Sequence, residues 1–436
     1  MSSYLIEREP LAPIAEGLRG GELDLLTYLG DRLDRLQAVD PEILAVLPEP
    51  DRRERLQREA EALLERWPDP AGRPPLWGVP VGVKDIFRVD GFPTRAGSTL
   101  PPEFFDRAEA AAVRRLREAG ALVLGKTVTT EFAFIEPGPT RNPHAPDHTP
   151  GGSSSGSAAA VAAGICPLAL GSQTVGSTLR PAAFCGVVGF KPTYGLIPLD
   201  GVVPLAPSFD HAGILTQDAA GAALAASVLV DGWSDQPEPS VPARLGIPAG
   251  PFLEQASPEG LAAFRLQVEA LKRAGWSVEE VPALEEIEAI GARHRRLMAA
   301  EAAAGHAGWV REHADRYRPR TLALIREGEQ VDPSELPALR ESRETLRREL
   351  ERRMDEAGIN LWVCPAASGP APEGLDFTGA PQMQLPWTHA GLPAISLPGA
   401  ESGSGLPLGL QLIARSRADR ALLRWAEQLE PVLRRG

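Results

Sequence analysis

The chain has 436 residues, with 45 Lys+Arg against 58 Asp+Glu and a formal net charge of −13. Hydrophobic residues make up 43% and charged residues 24%, which is globular composition and excludes a disordered chain. The acidic balance argues against a partner held by its phosphates, so no nucleic acid is expected. Three cysteines (Cys166, Cys185, Cys364) cannot form a disulfide framework, which points to a reducing, cytoplasmic setting.

The first ten residues lack the basic start and apolar run of a signal peptide. Residues 22–66 predict helix, because Leu25, Leu26, Leu29, Leu33 and Leu36 recur at helical spacing, as do Leu56, Ala60, Leu63 and Leu64. Gly78 to Lys84 reads as a strand and its end. Residues 109–119 predict a helix stopped by Gly120, and Ala121 to Leu124 a strand. Residues 156–164 read as a buried Ala-rich helix and Cys166 to Leu170 as a strand. A Pro-rich stretch over 235–248 leads into Arg244 to Pro248, and amphipathic helices are expected over 258–274, 285–313 and 334–356. Strand-like runs return at Leu361 to Cys364, Leu392 to Pro398 and Gly409 to Ile413, before a last helix over 418–434. Alternating helix and strand with short turns implies an α/β fold.

Residues 149–179 contain no Asp, Glu, Lys, Arg or His. They are rich in Gly, Ser and Thr and are interrupted by Pro167, so they suit the buried heart of a soluble protein, and no membrane association is expected. Within them, Pro150-Gly-Gly-Ser153-Ser154-Ser155-Gly-Ser157 runs straight into the apolar helix. That context favours a loop presenting N–H groups and hydroxyls at one point over a flexible linker. Further on, Gly171-Ser-Gln-Thr174-Val-Gly176-Ser177 ends in a serine that reads equally as a helix N-cap or as a nucleophile on a tight turn.

Only four of the 45 basic residues are lysine: Lys84, Lys126, Lys191 and Lys272. Arginine stays protonated in a protein, whereas lysine can serve as a base once its pKa is depressed. A lysine in so arginine-rich a chain is therefore a candidate for work that guanidinium cannot do. Lys126 sits in Gly120-Ala-Leu-Val-Leu-Gly125-Lys126-Thr127, which fits the P-loop pattern. Its variable positions are strand residues and a helix precedes it, so ATP binding is not expected and Lys126 is read as structural. The seven histidines lie in no Ser-His-Asp hydrolase context, and Cys166 and Cys185 read as small buried residues.

Several motifs together resemble the amidase signature family. They are Trp77-Gly-Val-Pro-Val-Gly-Val-Lys84-Asp, Gly125-Lys-Thr, Glu131-Phe-Ala, Gly-Gly-Ser153-Ser154, Gly176-Ser177, Arg180 through Gly195, Ser208-Phe-Asp-His-Ala-Gly213 and Gly391 through Pro398. The resemblance implies an α/β/α sandwich with a large mixed central β-sheet covered by helices. It implies a helical region over 1–70, a catalytic core over 71–234, a variable helical substrate-lining segment over 235–360, and the rest of the core over 361–436. It implies a Ser–cisSer–Lys triad in which Ser177 attacks an amide, Ser153 relays the proton and Lys84 is the base. Backbone N–H groups of Thr174, Val175 and Gly176 would form the oxyanion hole, with Ser154 as a supporting donor. The expected activity is hydrolysis of a small-molecule carboxamide through a seryl acyl-enzyme, with no metal or organic cofactor. The family's usual Asp-x-Gly-Gly-Ser-x-Arg is here Gln173-Thr-Val175-Gly-Ser-Thr-Leu-Arg180. That form is similar to the malonamidase branch, where the arginine meets a substrate carboxylate; the alternative for Arg180 is an ion pair with a residue such as Asp210. An A subunit-like component of a glutamyl-tRNA amidotransferase is the alternative function. The oligomeric state is not legible in the sequence, and a homodimer is one option.

Overall fold

The computed structural model describes residues 3–235, 239 and 242–434; most of the Pro-rich stretch before Arg244 and the first and last two residues of the chain lie outside them. The strands are β1 (Pro80–Lys84), β2 (Leu122–Thr127), β3 (Leu168–Gln173), β4 (Val188–Lys191), β5 (His211–Thr216), β6 (Arg244–Ala249), β7 (Ser277–Pro282), β8 (Leu361–Pro365), β9 (Ala394–Glu401) and β10 (Pro407–Ile413). They form one sheet of 10 strands in the order β2-β1-β3-β5-β4-β9-β10-β8-β6-β7. β2, β1 and β3 are parallel, as are β8, β6 and β7, and the strands between run antiparallel. Helices cover the sheet, so the fold is the expected α/β architecture with a large mixed sheet.

Strands β1 to β5 are buried at every position, which explains their continuous apolar and small-residue sequences. β2 runs on through Gly125, Lys126 and Thr127, so the P-loop pattern is a helix end followed by a strand and cannot wrap a phosphate. The helical region 22–66 divides into Leu25–Ile43 and Arg52–Arg66, where Pro48 and Pro50 interrupt it. β4, β5, β7 and the helices Leu11–Gly20, Leu179–Phe184, Ala219–Leu229, Pro319–Gly328 and Leu385–His389 have no counterpart in the sequence reading. β7 carries two glutamates and is largely open to solvent at the sheet edge, so it shows neither an apolar run nor strict alternation. Between residues 235 and 360 the chain thus adds two strands to the sheet as well as helices. Three of those helices, Ile287–His313, Pro319–Gly328 and Leu336–Ala357, pack Leu297, Leu324 and Leu339 around Phe209 and Phe134, with Val175 against the cluster.

The parallel pairing of β1 with β3 aligns Val83 with Leu170 and brings the C-terminal ends of both strands together. In α/β sheets that edge is where ligands bind. The helix Ser155–Ala162 is drawn down onto β2 and the residues after it: Gly156 N–H donates to Val128 O at 3.0 Å. A Cβ at position 156 would lie 2.2 Å from Ala45 O and 2.4 Å from Val128 N, so only glycine permits the approach. Gly156→Ala is expected to cost about 1–3 kcal/mol or more through overpacking against immovable backbone. Urea unfolding checks this, and an unchanged midpoint would contradict it.

Candidate active site

Lys84 ends β1 with no exposed surface, and its Nζ lies 2.6 Å from Ser153 Oγ, 2.7 Å from Ser172 Oγ and 3.1 Å from Ser154 Oγ. Ser172 comes from β3, whereas Ser153 and Ser154 come from the glycine loop ahead of the Ser155–Ala162 helix. Ser154 is fastened in turn: its Oγ accepts Ser172 N–H at 3.1 Å and lies 3.2 Å from Ser172 O. Burial holds the Lys84 amine well below the usual lysine range, because desolvation penalises the ammonium; the charge of Asp210 pulls the other way.

Peptide Gly152–Ser153 is cis, as the resemblance implied. Ser153 O accepts Thr130 N–H at 3.3 Å, and Gly152 O accepts Arg180 Nη2–H at 2.7 Å. Ser177 stands across the loop, where its carbonyl accepts Ser154 N–H at 3.1 Å. Among the described residues no side-chain hydrogen bond joins Ser153 to Ser177. Ser177 keeps 7% exposure while Lys84 and Ser153 keep 0%, so of the three only Ser177 faces outward.

The backbone N–H groups of Thr174, Val175, Gly176 and Ser177 donate to no protein group among the described residues. The next two do: Thr178 N–H and Leu179 N–H both reach Gln173 Oε1, at 2.9 and 3.0 Å. Thr174 Oγ1 donates to Asp210 Oδ1 at 2.6 Å, while Asp210 Oδ2 accepts Leu205 and Ala206 N–H at 2.9 and 3.0 Å. Burial lifts the Asp210 carboxyl to about 6 against these hydrogen bonds.

Asp210 does not pair with Arg180, so the ion-pair alternative for that arginine is not the arrangement found. Arg180 is buried, and beyond Gly152 O its Nη2 reaches only Thr378 Oγ1 at 3.3 Å. Its Nε and Nη1 have no partner among the described residues, and burial alone lowers its pKa to about 9. Lys126 is held by Asp85 at 2.7 Å, inside the protein. Lys191 donates to the carbonyls of Pro192 and Leu392, not to a serine. No histidine hydrogen-bonds Ser177 among the described residues, and all three cysteines are buried free thiols. Trp387 is fully buried against Trp362 and Phe252. The described residues include no group of three potential metal ligands and no helix long and apolar enough to cross a membrane.

Sequence reasoning missed Ser172 and Thr388, and it named Asp210 only as a partner for Arg180, not for Thr174. Ser172 had a usable signal, a serine inside an uncharged strand; Thr388 had none, because its contact crosses 213 residues.

The Amidase family model matches residues 29–423. The chain is 34% identical to the A subunit of the glutamyl-tRNA(Gln) amidotransferase of Nitratidesulfovibrio vulgaris (strain DP4), over 95% of this chain and 94% of that one. It is 34% identical to AtzE, a 1-carboxybiuret hydrolase subunit of Pseudomonas sp. (strain ADP), covering 86% and 89%. A solved amidase superposes with a TM-score of 0.87 at 34% identity, covering 98% of this chain and all of that one. The chain therefore belongs to the Amidase family of enzymes acting on amide C–N bonds.

Proposed function

We propose that the chain hydrolyses a carboxamide through an acyl-enzyme on Ser177. The observation that carries this is the buried Lys84 amine set among three serine hydroxyls at 2.6, 2.7 and 3.1 Å. A neutral amine has two N–H donors and one lone pair. Donation to Ser172 and Ser154 leaves the lone pair for the Ser153 proton, at the shortest of the three contacts. Ser177 Oγ attacks the amide carbon as its proton passes to Ser153 Oγ and the Ser153 proton passes to Lys84 Nζ. The carbonyl oxygen becomes an oxyanion facing the free N–H groups of Thr174, Val175, Gly176 and Ser177. The adduct collapses, the C–N bond breaks, and the relay returns the proton to the departing nitrogen, leaving an ester at Ser177. Water attacks the ester by the same relay and releases a carboxylic acid and free Ser177.

Arg180 supports a substrate class. A buried guanidinium with two unpartnered nitrogens and no carboxylate in contact leaves room for an anion brought by the ligand. The favoured substrate is thus an amide that also bears a carboxylate. A second reading, a component of an amidotransferase complex, is favoured by the full-length likeness to the amidotransferase chain of N. vulgaris. Ammonia release by the purified chain alone from propionamide, benzamide or succinamate selects the free enzyme. Release only with added partner proteins selects the complex.

Ser177→Ala and Lys84→Ala are each expected to lower kcat about 10⁴-fold, as loss of a nucleophile or its base does. Steady-state ammonia release measures this, and turnover surviving in Ser177→Ala rejects the acyl-enzyme. The pH profile follows from the depressed Lys84. Its neutral form is the active one, so kcat/KM should rise with pH through the folded-state pKa of Lys84, below the ordinary lysine range, and then level. A rate that is highest in acid would contradict this assignment. Arg180→Leu should raise KM for succinamate about 30-fold or more, the effect of removing one partner of a buried charge pair, and leave benzamide near the parent value. Equal loss on both amides rejects the carboxylate role.

A further inference from the structure

The side chain of Gln173 has no exposed surface and makes three hydrogen bonds. Its Oε1 accepts two backbone N–H groups, from Thr178 and Leu179, which fixes the orientation of the amide: Nε2 must be the other end. Nε2 donates to Thr388 Oγ1 at 2.9 Å, across the boundary between β3 and the short helix Leu385–His389. The Thr388 hydroxyl then accepts from Gln173 and has one proton left to give. It lies 2.7 Å from Val175 O and 3.1 Å from Gln384 O, and the Gln384 carbonyl already accepts Thr388's own N–H. The shorter and less occupied acceptor is Val175.

We propose that Gln173 and Thr388 are positioning residues that direct one proton onto the Val175 carbonyl and so sharpen the Gly176 N–H as an oxyanion donor. Val175 C=O and Gly176 N–H belong to the same peptide unit. A hydrogen bond to the carbonyl polarises that unit and makes its N–H a stronger donor, in the manner of cooperative chains. The same contact fixes the plane of the peptide, and thereby the direction of the N–H. The amide of Gln173 is essential to the polarity of this chain. A carboxylate in its place can only accept, and would take the Thr388 proton away from Val175.

This inference rests on the acyl-enzyme reading, and its test separates the two. kcat and KM are measured on benzamide and succinamate for Thr388→Val, Thr388→Ser, Gln173→Glu and the double variant, beside Ser177→Ala. Loss of a whole oxyanion donor costs about 10²–10³-fold in kcat, so loss of its polarising partner in Thr388→Val should cost about 10-fold, with KM unchanged. Thr388→Ser, which keeps the hydroxyl, should retain parent kcat. Gln173→Glu should fall by a comparable factor, and adding Thr388→Val to it should cost little more, because the two act as one unit. The relay is overturned if Thr388→Val turns over at the parent rate, if Thr388→Ser is as slow as Thr388→Val, or if KM rises while kcat holds. Should Thr388→Val fail to fold, parent-level kcat in Gln173→Glu overturns the relay instead. Activity surviving in Ser177→Ala overturns the acyl-enzyme itself, whatever the Thr388 variants do.

Discussion

An amine sealed from water costs a folded protein a great deal if it stays charged, and much less if it gives up its proton. Lys84 sits in that position, with no carboxylate in hydrogen-bond contact and three hydroxyls around it. Much of the local architecture serves to keep it so. β1 carries the side chain inward from one strand, β3 supplies Ser172 from the next, and the loop before the Ser155–Ala162 helix supplies two more oxygens. Glycine at position 156 lets that helix press onto backbone, and the small uncharged residues of the helix fill the space behind. The carboxylate that follows Lys84 in the chain is occupied by Lys126, and so takes no part in the contacts of the Lys84 amine.

Outside this centre the structure divides its labour between the sheet and the helices above it. The sheet holds the amine and Ser172, whose positions depend on strand register, and the loop before the Ser155–Ala162 helix holds Ser153 and Ser154. The long helices over residues 287–357 approach from the other side and reach the Thr174–Ser177 segment through Phe209, Val175 and their own leucines. The segment that carries free N–H groups is therefore clamped from several directions: Asp210 holds Thr174, Gln173 holds Thr178 and Leu179, and Thr388 holds Val175.

The fold class was legible because alternating apolar strands and helices leave a strong pattern, and the sheet core obeys it. Lys84 stood out because the chain uses arginine nearly everywhere else, so that the exception carried information. The serine loop stood out because Gly and Ser ran into a buried helix with no charge nearby. Two of the features that stayed hidden have a physical reason. β7 is an exposed edge strand whose glutamates erase the usual pattern. Contacts that join distant parts of the chain, such as Thr388 to Val175 and Asp210 to Thr174, have no local signature at all. The pairing of Arg180 with Asp210 suggested itself from charge alone. It fails because Asp210 already satisfies a hydroxyl and two backbone amides.

The guanidinium of Arg180 has a thermodynamic side that concerns folding more than turnover. It is buried, and no described residue gives it an opposite charge in exchange. An unfolded chain escapes that penalty, because there the group is hydrated. On the proposed role of Arg180, a small anion would bind the native ensemble alone, and heat resistance and occupancy would become linked quantities.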